Sequence, residues 1–478
     1  MAGRRVQKAV AALALALSMV AIELAGTAVA APTIGCGTVI TRTTKLTTDI
    51  GPCPGTGLVI AADNITVDLD GHRVLGDPEA RGSGPDQAGV VLRQVHGVTL
   101  KDGTVRGFDA GVAIRGGGRN TITGVRALDN VNYRVVTGRD ALPPSGPGNG
   151  LSCDLGDGIA VLGSNGNRLV GNTIVGNGPY SGAAMIDQSD HNIVANNEVV
   201  DNDIVNQHAS DGATVCGGLA GEVGAAGKLV QDVGVRIEGP GATHNTVAGN
   251  HIVRSALAGV MVTAFRNAFP QANNGFNQIV GNSIFQTGLR TREVQDFFDD
   301  YHSSGIFLHN AGTTEVTLSY GNTIAGNTSS DNAGGGIEVV GTFPGSGEVG
   351  VGGNTITGNV TNNNRLTGIL LNEGVTDHVV SGNQAHGNGL DKAFIAHLNA
   401  QDPFILWVAA DAADDNYHCD ANVWSDNQFG TVNQRCVKAN GGTGKVVGPV
   451  PPAPAPVAKA SLISRPPGGD PLLGRGGP

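Results

Sequence analysis

A chain of 478 residues can hold two or three ordinary domains or one elongated repeat domain, and the composition favours the second. Glycine fills 75 positions and aromatic residues make up only 4 %, which excludes a thick globular core and leaves a narrow one lined by small aliphatic side chains. A net charge of -11 without a basic block argues against nucleic acid and against anionic membrane surfaces as partners.

The first residues read MAGRRVQKAVAALALALSMVAIELAGTAVAAPT, with Arg4, Arg5 and Lys8 ahead of an apolar run that ends in Ala28-Val29-Ala30. This is the pattern of a secretory signal peptide, residues 1–30, cleaved near Ala30. A membrane anchor is the rival reading, but Glu23 interrupts the run and no second apolar stretch follows. The TIGC ahead of Cys36 lacks the leucine of a lipoprotein site. The mature chain is therefore expected to be secreted, extracellular and monomeric, with no membrane insertion after cleavage. Six cysteines fit an oxidising compartment. Local spacing pairs Cys36 with Cys53 and Cys419 with Cys436, and elimination leaves Cys153 with Cys216, out of fifteen formal connectivities. No CxxC or Cys/His spacing suggests a metal.

Two signatures alternate along the middle of the chain. One is Gly-Asn-x-aliphatic, as in NRLVGNTIVGN (167–177), HNIVANNEVVDN (191), HNTVAGNHIVRS (244), FNQIVGNSIFQT (276), GGNTITGNVTNN (352) and DHVVSGNQAHGN (377). Ahead of these cores run strand-like segments: AGVVLR (88), AGVAIRG (110), DGIAVLG (157), VGVRIEG (233), AGVMVTA (258), SGIFLHN (304), GGIEVVG (335) and TGILLNE (367). Each alternates an aliphatic residue inward with a variable residue outward, the period of a β-strand. One coil thus holds three short strands over about 21 or 22 residues, and about ten coils fit between Leu58 and Asn388. Asparagine tolerates left-handed backbone and bonds local peptide groups, so it sits at the corners. Asn172, Asn197, Asn250, Asn282, Asn322, Asn354 and Asn383 are expected to stack there as one hydrogen-bonded ladder. The reading is an all-β chain: a single-stranded parallel β-helix of right-handed sense, as crossover connections require, spanning residues 34–440. Beyond it, residues 441–478 form a Pro/Gly/Ala-rich tail unable to bury a core.

NITVDLDGHRVLG (64–76) as a first coil and CDANVWSDNQFGTVNQRC (419–436) as a closing cap carry a family likeness. With the repeats between them, the chain resembles the right-handed parallel β-helix repeat proteins of the pectate-lyase-like superfold, in particular the NosD-like branch. The resemblance implies a fold more than a chemistry.

Three coils are interrupted, at about residues 131–156, 203–231 and 288–303, beyond ordinary connection length. All three insertions fall just before a Gly-Ile-x-Val strand, so they are expected to rise as a wall along one edge, stiffened by Cys153–Cys216. The third carries Asp296, Asp299, Asp300, Tyr301 and His302 within seven positions. Carboxylates as acid and base with a phenol or imidazole moving protons are the groups of sugar cleavage, which makes Asp299, Asp300, Tyr301 and His302, with His309 on the next strand, the candidate catalytic set. The plain alternative is a solvated loop pinned by Phe297 and Phe298. Alternation turns Arg236, Glu238 and Glu338 outward beside it as candidate substrate-binding residues, with Thr263 between Glu238 and His309.

Named activities do not carry over. The Asn-Thr-Asp and Gly-His-Gly of polygalacturonases and the Asp-Pro-His of mannuronan epimerases are missing. No cofactor is implied. Calcium is a candidate ion for the carboxylates in the third insertion or for the oxygens in DNDIVNQHASDG (201), although the latter lacks EF-hand spacing. Two function classes stay open. The first is a secreted protein that binds a polysaccharide or degrades it as a lyase or hydrolase, supported by the insertions on one edge. The second is a non-catalytic cell-envelope or adhesive scaffold, or a NosD-like accessory protein, supported by the missing motifs; four methionines and no Met or His run weaken its copper-handling form.

Overall fold

A sequence that returns Asn and Gly to most corners favours short strands, and most coils are accordingly built from strands of three to seven residues. The computed structural model describes residues 33–77, 87–132, 156–178, 180–203, 233–239, 241–264, 274–289, 303–310, 319–340, 352–401 and 407–448. A representative coil runs Asp157–Leu162, Arg168–Val170, Thr173–Val175, and the next repeats it as Ser181–Ile186, Ile193–Ala195, Glu198–Val200. Each strand pairs in parallel with its counterpart one coil on, Ile159 with Ala183, Leu169 with Val194 and Ile174 with Val199. The strands of the first side make one parallel sheet of fourteen. The other two sides are joined near the start by the long strands Thr99–Arg106 and Thr121–Leu128, which pass through both without a break. This is a right-handed parallel β-helix.

The core is the narrow channel that the composition requires. Ile159, Val161, Leu169 and Ile174 of one coil are all fully buried, as are Ala183, Met185, Val194 and Val199 of the next. Coils spaced by about 4.8 Å bring each inward side chain onto its counterpart above and below.

Asparagine forms more than one ladder. Asn172, Asn197, Asn250 and Asn282 stack as expected, the side-chain oxygens of Asn197, Asn250 and Asn282 each accepting both the backbone N–H and the Nδ2 of the asparagine in the preceding coil. From Asn282 the column continues through Asn327, Asn359 and Asn383. Asn322 and Asn354 instead belong to the neighbouring corner, in line with Asn277. The cause of the slip is the five-residue interval in GNTIAGN and GNTITGN, which puts a Gly-Asn pair at two successive corners of the same coil. A third column links Asn130, Asn177 and Asn202.

One helix of ten residues, Lys392–Gln401, departs from the all-β expectation. Asp391 caps it by accepting the N–H of Phe394 at 2.9 Å, and Ile395 and Leu398 pack with Trp407 and Val408 against Leu366, Leu370 and Ala413. Disulfides Cys36–Cys53 and Cys419–Cys436 close the first and last coils. Cys153, Cys216, the signal peptide, the tail beyond residue 448 and nearly all of the three insertions lie outside the described residues. Among the described residues no helix is long and apolar enough to cross a membrane.

Candidate functional site

On the fourteen-stranded side, Val235 and Ile237 of Val233–Glu238 point into the channel, which turns Arg236 and Glu238 to the outer face. The register fixes the company Arg236 keeps. Along its column stand Ala113, Ala160, Ala184, Arg236, Met261, Phe307, Glu338, Leu370 and Ala413, one per coil. Two ionisable residues thus interrupt a file of apolar ones.

Arg236 is only 1 % exposed, and its surroundings are built to hold the charge. Its Nη1 donates to Glu238 Oε2 at 2.8 Å, and its guanidinium lies over the ring of Tyr180, 4.1 Å from the centroid. The Tyr180 hydroxyl donates to the same Glu238 oxygen. Burial works against the arginine charge, but Tyr180 and Glu238 outweigh it and hold the guanidinium above its ordinary value. Burial, then the Glu238 carboxylate, pushes the Tyr180 phenol well above its usual range, so it stays a proton donor. In the adjoining coil the exposed Asp187 follows the strand that pairs with Val233–Glu238, and its N–H donates to the Glu238 carbonyl at 3.0 Å. Desolvation by the protein around its carboxyl, then the Glu238 charge, raises its pKa as well. Asp157, which accepts the Ser181 hydroxyl, faces Tyr180 and Arg236 electrostatically from one coil further back. The arrangement offers a neutral phenol, a carboxylate and a second carboxyl of raised proton affinity at one place, the inventory of proton transfer and of hydrogen bonding to hydroxyls.

Of the residues expected from the sequence, Arg236 and Glu238 are thus brought together. Glu338 lies three strands along the same column, about 14 Å away at the coil spacing. It is fully buried, burial pushes its carboxyl up to about 8, and the Ser304 hydroxyl donates to its Oε2. The His309 backbone pairs with Thr263 on one side and Val340 on the other, so Thr263 does stand between Glu238 and His309 in the ladder. Asp299, Asp300, Tyr301 and His302 lie outside the described residues. Tyr180, Asp187 and Asp157 were not anticipated. Tyr180 carried a signal: it is one of five tyrosines in an aromatic-poor chain and stands directly before a strand.

Residues 54–214 match the family described as the periplasmic copper-binding protein NosD. Thioether sulfur suits soft copper. Both methionines of the described chain, Met185 and Met261, are buried, so the described surface presents no thioether to a copper ion. No curated protein matches the chain. Similar solved structures include the Dettilon tailspike protein gp208, at 17 % identity and a TM-score of 0.48 over 73 % of this chain and 58 % of that one. The periplasmic alginate epimerase AlgG follows at 15 % identity and 0.43, over 70 % and 65 %. Pectate lyase Pel9A gives 12 % and 0.39, over 70 % and 68 %. The chain spans less than two thirds of the length of the first two, and at such identities nothing about activity passes from them. The chain is a right-handed parallel β-helix repeat protein, similar over residues 54–214 to the NosD family.

Proposed function

We propose that this protein is exported and binds a polysaccharide at the Tyr180–Arg236–Glu238–Asp187 cluster, with cleavage of the chain by lyase or hydrolase chemistry as the activity to seek. One observation carries the reading: the ionisable Arg236 and Glu338 occupy a column where the same fold uses alanine, methionine, phenylalanine and leucine in other coils, and Arg236 carries its charge there in a buried position. Removing charges from water costs on the order of several kcal/mol each, so a scaffold that needs none there keeps them for a reason beyond folding. Carboxylates and a phenol are the groups that protonate and deprotonate sugar oxygens. In sequence, the insertions at 131–156 and 203–231 lead directly into the strands that carry Asp157 and Arg236. Two disulfides support export to an oxidising compartment.

The test is a screen of the mature protein against uronic and neutral polysaccharides with and without calcium. Unsaturated products indicate a lyase, and new reducing ends without unsaturation a hydrolase. Affinity electrophoresis reads binding alone. The double variant Arg236→Met/Glu238→Thr copies Met261 and Thr263 of the next coil and should fold as well as the parent while losing ligand. Full binding by that variant, or silence of the parent on every polymer, would sink the proposal. A second reading, a non-catalytic envelope scaffold, draws on one feature: Ile395 and Leu398 of the helix Lys392–Gln401 and Trp407 pack in one buried apolar cluster with Phe307, Leu370 and Ala413, covering that part of the outer face.

A further inference from the structure

On a different corner of the coils, the residue before each asparagine of one ladder adopts left-handed backbone. These residues are Arg119, Gly166, His191, His244, Phe276, Gly321 and Gly353, with φ between 53° and 67°, and Asp377 repeats the conformation before His378 at φ 61°. Because the conformation repeats, side chains at this corner superpose from coil to coil. The rings of His191 and His244 stack with centroids 4.8 Å apart and an interplanar angle of 4°, and Phe276 continues the stack at 5.2 Å. Rings that spend their faces on one another present their edges to solvent. Both imidazole edges converge on one carboxylate: His191 Nδ1 lies 2.9 Å from Asp190 Oδ2, and His244 Nδ1 lies 3.6 Å from Asp190 Oδ1. The position of Asp190 is taken in the other coils by Asp63, His96, Gly118, Asn165, Thr243, Gly275, Tyr320, Gly352 and Thr376. Carboxylates stand in this column at Asp63 and Asp190; Asp63 faces the single imidazole of His96, and Asp190 falls where two histidines are stacked.

We propose that Asp190, His191 and His244 form a surface site for one divalent transition-metal ion, with both Nδ1 atoms and an Asp190 oxygen as protein ligands. All three donor groups lie within 4.8 Å of one another. A tetrahedral ion with bonds of about 2.0–2.1 Å sets its ligand atoms about 3.3 Å apart, and the separations of 2.9 Å from His191 to Oδ2 and 3.6 Å from His244 to Oδ1, each imidazole facing its own carboxylate oxygen, lie either side of that value. The carboxylate is already oriented from behind, since Thr243 Oγ1 donates to Asp190 Oδ1 at 2.9 Å and the Asp190 N–H donates to Asn165 Oδ1 at 2.8 Å. Such outer partners fix a ligand's direction before the ion arrives. Both histidines are about half exposed or more, at 65 % and 49 %, so the ion has an entry path and an open fourth position for water. The site is independent of the polysaccharide reading. It favours nitrogen-accepting ions such as Zn²⁺ over calcium, which takes oxygen ligands.

Calorimetric titration of tag-free, metal-stripped mature protein with ZnCl₂ tests the assignment, with the melting temperature followed in parallel. The parent should bind one equivalent and melt higher with zinc. His244→Phe keeps the ring stack but removes one nitrogen, and Asp190→Asn keeps the size and the Thr243 contact but removes the charge. Each should weaken zinc binding about tenfold or more and abolish the thermal shift. Asp190→Asn leaves the stack untouched and decides the matter should His244→Phe fail to fold. No zinc binding by the parent, or undiminished affinity in Asp190→Asn, would overturn the proposal.

Discussion

Asn197→Ala removes the middle of the best-ordered asparagine ladder, and its cost can be worked out bond by bond. The Asn197 side-chain oxygen accepts the Asn172 backbone N–H at 2.9 Å and the Asn172 Nδ2 at 3.0 Å. Its Nδ2 donates to the Leu169 carbonyl and to Asn250 Oδ1, both at 2.9 Å. Alanine deletes all four bonds, but two of the groups left behind keep other partners. Asn172 Nδ2 still donates to the Ile122 carbonyl at 3.0 Å, and Asn250 Oδ1 still accepts the backbone N–H of residue 197 at 2.9 Å. The Asn172 N–H and the Leu169 carbonyl lose the side-chain partner in a buried position. At about 1–3 kcal/mol for each of the two buried polar groups stranded, the substitution should cost about 2–6 kcal/mol. That is a large part of a typical domain stability of about 5–15 kcal/mol. The neighbouring Asn196 supplies the control, being exposed and left-handed at φ 54°. Asn196→Gly suits that backbone and should stay within about 0.5 kcal/mol of the parent. Urea unfolding followed by far-ultraviolet circular dichroism reads both. A loss below about 1 kcal/mol for Asn197→Ala, or one no larger than that of Asn196→Gly, would refute the view that these bonds hold the coils in register.

Two further outcomes follow from the cap and from the covered face. The bridge Cys419–Cys436 spans a separation of 17 residues, so Cys419→Ala/Cys436→Ala should lose about 3 kcal/mol through unfolded-state entropy, and an unchanged urea midpoint would contradict this. Burial pushes the Glu338 carboxyl up to about 8 against an ordinary value of 4.5, so between those pH values the folded chain keeps a proton that the unfolded chain has released. Stability should fall as pH rises from 4.5 to 8 and level off above, and Glu338→Gln should flatten that slope; parallel slopes in parent and variant would refute the assignment.

The coil was legible in the sequence because stacking makes every coil solve the same problem. An inward aliphatic and a corner Gly-Asn recur wherever the backbone repeats, and the two signatures mark most of the strands directly. Where the register rested on a single motif it slipped: Gly-Asn occurs at two corners of one coil, so Asn322 and Asn354 moved into the wrong column. The strand Ser181–Ile186 is also faint in sequence, since SGAAMI carries small residues where its neighbours carry Val and Ile. The helix Lys392–Gln401 has no counterpart in other coils. A repeat pattern shows what the coils share and is silent on what one coil adds.

For the site, alternation gave direction but not accessibility. It turned Arg236, Glu238 and Glu338 outward, yet outward on this side means beneath a cover, because residues distant in sequence pack over the strands. Tyr180 lies over Arg236, and Leu398 and Trp407 close over Leu370. The sign of that cover was already present in the outward positions, where Met261, Phe307 and Leu370 stand in the same column. Three large apolar side chains in file do not face water when a covering segment is available. A polar residue between them must then be embedded, and an embedded charge is tolerated only with partners in place. Arg236 has them, in a carboxylate 2.8 Å away and an aromatic face 4.1 Å away. The apolar neighbours of a strand position therefore say more about whether its charge is a surface charge or a site than the charged residue itself does.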